Sequence, residues 1–166
     1  MDFDNVKNED LIFKKADTND SFDIYQVLLK SFKPYEKFYT NKSFDATVLS
    51  LEKIRDRIIK NEYDVYVVKV LSSIVGTVSL KIMGFSSLYI RSMAVLPDFQ
   101  RSGIGRFILE NINNIAREYK IEKLVLESSS PLKNALNFYE KHGFKKTGVN
   151  RDFYGVQIYE MIRTTD

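Results

Sequence analysis

Leu88-Tyr89-Ile90-Arg91-Ser92-Met93-Ala94-Val95, followed across a short polar link by Gln100-Arg101-Ser102-Gly103-Ile104-Gly105-Arg106, is the stretch around which the rest of the chain is arranged. The first segment reads as an apolar strand, and the second ends on glycines from which a helix starts. Ile104, Ile108, Ile112, Ile115 and Tyr119 repeat at helical spacing, with Phe107 widening their face. Arg106, Glu110, Asn113, Arg117 and Glu118 fall opposite, so this helix covers a sheet on one side only. Glycines let a backbone approach a ligand closely, and the first helical turn offers unpaired N–H groups at a positive dipole end. The combination is a phosphate pocket. Arg101 and Arg106 add full charges, which suits an anion with more than one phosphate.

Composition bounds the reading. The 166 residues are the size of one domain, and 44% hydrophobic with 28% charged residues is ordinary for a globular chain. A net charge of +3, with no run of Lys and Arg, gives no reason to expect nucleic acid. The absence of Cys excludes disulfides, thiolate metal sites and a cysteine nucleophile, and a single His, His142, excludes a multi-histidine metal centre. No metal is therefore expected. With no apolar signal region and no stretch of about 18 apolar residues, neither export nor a membrane span is expected. The expectation is a cytoplasmic protein, as a monomer or homodimer.

In chain order, Met1 to Asp10 is polar and reads as a loose lead-in, and Leu11 to Lys15 as a first strand. Asp17 to Asp20 supplies N-caps for a helix carrying Ile24, Val27, Leu28 and Phe32. Pro34 to Thr40 breaks it, and a second helix follows Ser43 with Val48, Leu51, Ile54 and Ile58. Asp64 to Val70 and Ile74 to Ile82 alternate as an antiparallel hairpin, on which the strand from Leu88 to Val95 pairs back. Leu124 to Glu127 is a short strand reached through a helix, which implies a parallel crossover. Ser130-Pro131 reads as a helix start, and Gly143 as the left-handed stop of that helix. Phe144 to Val149 and Val156 to Ile162 are the last strands, joined by Asn150 to Gly155. The fold class expected is α/β (α+β): one domain over residues 1–166, a mixed, mostly antiparallel sheet of about seven strands, and helices on both faces.

Three phosphate-binding readings compete for the glycine stretch. The triphosphate loop needs Gly-Lys and then Ser or Thr, where this chain has Gly105-Arg106-Phe107. The dinucleotide fingerprint finds its first two glycines in Gly103 and Gly105, and Glu127 where a ribose-binding acid would stand. Its third glycine is replaced by Ile108, and no tight strand–glycine turn exists. The third reading has a second support. Gln100-x-x-Gly103-x-Gly105 after Met93-Ala94-Val95, together with Asn134-Ala135-Leu136-Asn137-Phe138-Tyr139-Glu140-Lys141-His142-Gly143-Phe144, closely resembles the GNAT superfamily of acyl-CoA-dependent N-acetyltransferases. The resemblance is strong from Ile74 to Phe144 and looser on either side.

The resemblance implies acetyl-CoA as the acyl donor. Met93, Ala94 and Val95 would lie on a strand splayed from its parallel neighbour, free to pair with pantetheine amides, since an unpaired interior edge needs a partner. The backbone of Gln100, Arg101, Ser102, Gly103, Ile104, Gly105 and Arg106 would hold the pyrophosphate, and Asn134 matches a position that often hydrogen-bonds the cofactor. A backbone N–H near Val95 would stabilise the oxyanion. Tyr139 matches the general acid that protonates the departing sulfur, although its place on the apolar stripe of Leu132 and Leu136 also fits plain core packing. No carboxylate stands on the Leu88 to Val95 strand, where many members carry a base. Glu127 is then the best remaining base, with Tyr154 through a water as a comparable candidate and His142 as a helix-end cation instead. The acceptor is expected between Tyr35, Phe38 and Tyr39 on one flank and Phe153 and Tyr154 on the other, where aromatic faces beside Glu36 and Asp152 suit an ammonium group. The expected reaction is acetyl transfer to a primary amine, a small molecule or a peptide, by direct attack in a ternary complex. A protein N-terminus or lysine as acceptor, and a non-catalytic acyl-CoA sensor, stay open.

Overall fold

The computed structural model describes residues 10–165, so the expected lead-in falls outside the described residues but for its last position. Strands β1 (Leu11–Lys15), β2 (Asp64–Val70), β3 (Ser73–Met83), β4 (Ser87–Val95), β5 (Lys123–Ser129), β6 (Lys145–Phe153) and β7 (Val156–Thr164) form one sheet in the order β1-β2-β3-β4-β5-β7-β6. Every neighbouring pair is antiparallel apart from β4 and β5. Helices α1 (Ser21–Phe32), α2 (Asn41–Thr47) and α3 (Leu51–Ile59) cover one face, and α4 (Ile104–Glu118) and α5 (Lys133–Lys141) the other. This is the expected architecture, including its single parallel pair.

The alternation of apolar residues decides which face each side chain serves. Leu88 and Ile90 of β4 and Leu124 and Leu126 of β5 are buried under Ile104, Ile108 and Ile112 of α4. Val65 and Val67 of β2 meet Ile24, Val27 and Leu28 of α1 and Ile54 of α3 on the other face. Each fully buried Leu or Ile contributes roughly 1.5–3 kcal/mol, so both layers are needed to offset chain entropy. Alternation breaks once in β4. The register shifts between Thr77 and Ser79 of β3, and Ser92 takes a left-handed φ of 51°. This bulge turns Ala94 toward α1, whereas Leu88 and Ile90 before it face α4.

Three local expectations are corrected. The single second helix is two, α2 and α3, parted at Val48 to Ser50, where Val48 and Leu49 are buried between them. Val48 leaves helical geometry with ψ 87°, and Ser50 caps α3 by accepting the Lys53 N–H. Ser130-Pro131 does not start α5, since the Ser130 N–H extends the sheet by bonding the Gln157 carbonyl at 2.9 Å, and the helix begins at Lys133. The β6–β7 connection is shorter than Asn150 to Gly155. Strand β6 runs to Phe153, and the turn consists of Tyr154 and Gly155, at φ 51° and 88°, the pair of positive values that a tight hairpin requires.

Candidate functional site

The parallel ladder between β4 and β5 covers only Ser87 to Ile90 against Lys123 to Leu126. Beyond it the strands part like the arms of a fork. From Arg91 to Val95, β4 keeps its bonds to β3, and from Glu127 to Ser129, β5 keeps its bonds to β7. The bulge at Ser92 is what bends β4 away. Met93, Ala94 and Val95 thus lie on the arm that no longer pairs with β5. The Val95 carbonyl is held by the Ser31 hydroxyl at 2.9 Å and the Gln100 amide at 3.0 Å, so Gln100 fixes the end of that arm.

Below the fork the chain reaches α4 through a loop in which Arg101 has φ 66° and Gly103 φ 91°. Gly103 ends the loop with no side-chain cap, and the first bond into the helix is Phe107 N–H to the Gly103 carbonyl at 2.9 Å. The N–H groups of Ser102, Gly103, Ile104, Gly105 and Arg106 have no acceptor among the described residues. Unclaimed N–H groups gathered at a helix start are able to receive an anion. The two glycines differ in purpose. A Cβ at Gly103 would meet open space, whereas one at Gly105 would come within 3.0 Å of the Phe138 ring of α5. Gly105 lets α4 pack against α5 while its N–H stays free. Asn134 is exposed in the first turn of α5.

Tyr139 is buried on α5, its ring 5.4 Å from Phe138 and 5.6 Å from Phe144. Burial pushes its hydroxyl up to about 12, so the phenol stays protonated at neutral pH. The hydroxyl makes no hydrogen bond among the described residues, yet no fully enclosed side-chain polar atom there lacks a partner, so it is open to a ligand or solvent. Glu127 is the first β5 residue past the fork. It accepts the Tyr89 hydroxyl at 2.8 Å on one oxygen and pairs with Arg151 of β6 through the other. Burial and the Glu127 carboxylate together raise the Tyr89 phenol well above its ordinary value.

The two aromatic flanks meet. The Tyr39 hydroxyl hydrogen-bonds Ser129 at the end of β5, and Thr40 donates to the Tyr154 carbonyl at 2.7 Å. Lys42 lies 4.4 Å from the Tyr154 ring, which is itself 5.1 Å from Phe153. Burial raises the Tyr39 phenol. Tyr35 is half-buried and Phe38 exposed, and neither joins this contact. His142 lies at the C-cap of α5 with Nδ1 2.8 Å from the Phe138 carbonyl.

One cluster went unread in the sequence. Arg57 of α3 donates to the hydroxyls of Ser79, 3.1 Å away, and Ser92, 3.0 Å away, and its guanidinium lies 4.5 Å from the Tyr63 ring. Ser79 is the cross-strand partner of Arg91, so Arg91 projects from the same face of the sheet. The available signal was spacing, since Arg57 follows Ile54 by three residues and therefore turns toward the sheet. No group of three or more His, Cys, Asp or Glu among the described residues is placed to hold a metal, and no helix there is long and apolar enough to cross a membrane.

Comparison with known proteins points the same way. The Acetyltransferase (GNAT) domain profile matches residues 27–165. An N-alpha-acetyltransferase of Sulfurisphaera tokodaii is 35% identical over 104 residues, covering 54% of this chain and 60% of that protein. A [ribosomal protein bS18]-alanine N-acetyltransferase of Salmonella typhimurium is 35% identical over 63 residues, 38% of this chain and 43% of that one. The match thus spans about half the length of these relatives. The PaiA N-acetyltransferase of Thermoplasma acidophilum, solved in complex with coenzyme A, superposes with a TM-score of 0.79 at 19% identity, over 93% of this chain and 98% of that one.

Proposed function

Because the chain belongs to the GNAT acetyltransferase family, we propose that it transfers acetyl from acetyl-CoA to a primary amine by direct attack in a ternary complex. The observation that carries this reading is the fork: a sheet whose β4–β5 pairing stops at Ile90 and Leu126, with β4 running on into a loop whose N–H groups lack acceptors among the described residues. Both features suit coenzyme A, whose amides need backbone partners along the β4 arm and whose pyrophosphate needs clustered donors. Met93 to Val95 would hold the pantetheine, Gln100 to Arg106 the pyrophosphate, and Asn134 a further polar contact. The thioester supplies an activated acetyl group; the chain's own residues orient it and manage the protons.

Tyr139 holds a proton at neutral pH on a hydroxyl that no side chain claims, which suits it to protonate the leaving sulfur. Glu127, on the β5 arm, would draw a proton from the acceptor amine, and the contacts of its carboxylate with Tyr89 and Arg151, which fix its orientation, support that role. A chain without Cys cannot route the acetyl group through a cysteine, which supports direct attack. The named relatives act on protein amines, and this favours a peptide N-terminus as one acceptor class. The test is release of CoA from acetyl-CoA by purified protein against a panel of small amines, amino acids and peptides. Amine-dependent release is expected. Tight CoA binding without release on any acceptor would contradict the reading and favour a sensor.

A further inference from the structure

The fork places two unlike groups at its mouth. In the parallel register, Ile90 stands beside Leu126, so the next residues, Arg91 and Glu127, are the first on the two arms. Leu88, Ile90, Leu124 and Leu126 all face α4, which leaves Arg91 and Glu127 on the opposite face, toward α3. Arg91 and Glu127 do not pair with each other; the Glu127 carboxylate bonds Tyr89 and Arg151 instead. The Arg91 side chain, on a half-buried residue, makes no hydrogen bond or ion pair among the described residues.

Arg57 makes the arrangement odder. Its guanidinium lies over the bulge and bonds two neutral hydroxyls through a single nitrogen, Nη1, with no carboxylate in ion-pair contact. Glu62 acts on it only from a distance, and burial and the nearby Arg91 charge both make its protonated state more costly. Lys81, opposite Tyr89 in the sheet, adds a third cation, 5.3 Å from the Tyr63 ring. Two guanidiniums brought together without a counter-ion are costly unless an anion joins them, and planar guanidiniums match a carboxylate best.

Resting on the acetyl-transfer reading, we infer that Arg57 and Arg91 bind a carboxylate carried by the acceptor, so that the favoured acceptors are primary amines with a carboxylate a few bonds away. The amine faces Glu127 on one arm while the carboxylate meets Arg91 on the other. A free amino acid and a peptide beginning with an acidic residue share this chemistry. Arg57 also anchors the bulge through Ser92, which ties carboxylate binding to the bend that opens the fork.

The test compares kcat/KM for matched pairs: a peptide beginning with Asp against the same peptide beginning with Asn, and leucine against leucinamide. A carboxylate held by charged donors predicts a preference of about tenfold to a hundredfold in at least one pair. The pair that shows it tells peptide from free amino acid. Arg91→Gln should bring that ratio close to one, and Arg91→Lys, which keeps the charge without the fork of donors, should retain part of it. Ratios near one in both pairs, or a preference that survives Arg91→Gln, would overturn the inference. Calorimetry with CoA and the N-acetylated forms of all four acceptors needs no turnover. If nothing is acetylated but a carboxylate product binds about tenfold tighter than its amide, the transfer reading fails and the carboxylate site stands. Equal binding within both pairs overturns the site.

Discussion

Glu127 shows how much one position has to do. Its carboxylate sits where the sheet divides, accepts the Tyr89 phenol and pairs with Arg151. A base so held is oriented but not idle, since a carboxylate oxygen offers more than one lone pair. Glu127→Gln keeps the shape and a hydrogen-bond acceptor while removing the basicity, so kcat/KM should fall by about 10² or more with the fold intact. Unchanged kcat/KM would make Glu127 an anchor for Tyr89 and Arg151, and would turn attention to Tyr154. Tyr139 and Glu127 could be nominated from the sequence because a motif or a strand end marked them. Arg57 and Arg91 could not, because they are far apart in the chain and only the β3–β4 register brings them to one face. Only the bulge, invisible to a period-two reading, shows that Ser92 and Ser79 are held by the same cation.

At the scale of elements, the site depends on close contacts between helices and turns. Gly105 lets the first turn of α4 reach α5, and a side chain there would press on the Phe138 ring. Gly105→Val should destabilise the protein by about 1–3 kcal/mol and weaken CoA binding, measured by chemical denaturation and calorimetry. Affinity at the wild-type level would separate this contact from the anion pocket. The start of α1 offers a pH test. Asp20 accepts the Asp17 N–H at 3.1 Å and pairs with Lys14 at 2.9 Å. Burial alone would raise its carboxyl, but the Lys14 bond, the Asp17 N–H and the Lys14 and Lys69 charges outweigh it and hold it below 3.8. Since the folded state has the lower value, this stabilisation is present above the ordinary Asp range and is lost as pH falls through the folded-state value. Asp20→Ala should cost about 1–2 kcal/mol at pH 7, and the deficit should shrink in acid. A deficit independent of pH would contradict the ion pair. The boundaries missed from sequence, at Val48 and Ser130, share one cause: a residue with a good local signal was claimed by the sheet or the core instead.

Over the described residues as a whole, the chain builds two apolar layers on a sheet whose one parallel junction there is left half made. That junction was legible in outline, since a strand, a glycine loop, a one-sided helix and a second strand imply a parallel crossover. How far the pairing ran was not, because register and bulges are set by packing on both faces, which the sequence lists only one residue at a time. The same holds for the acceptor side, where Thr40 and Tyr154 meet across most of the chain's length. Everything in the proposed reaction passes through the fork: the donor along one arm, the acceptor at its mouth, and the proton for the leaving group from the buried phenol on α5. The most direct test is Tyr139→Phe, with CoA release and CoA affinity measured on the same preparation. The account predicts a fall in kcat of about 10² to 10⁴ with CoA affinity nearly unchanged; a kcat equal to wild type would contradict it.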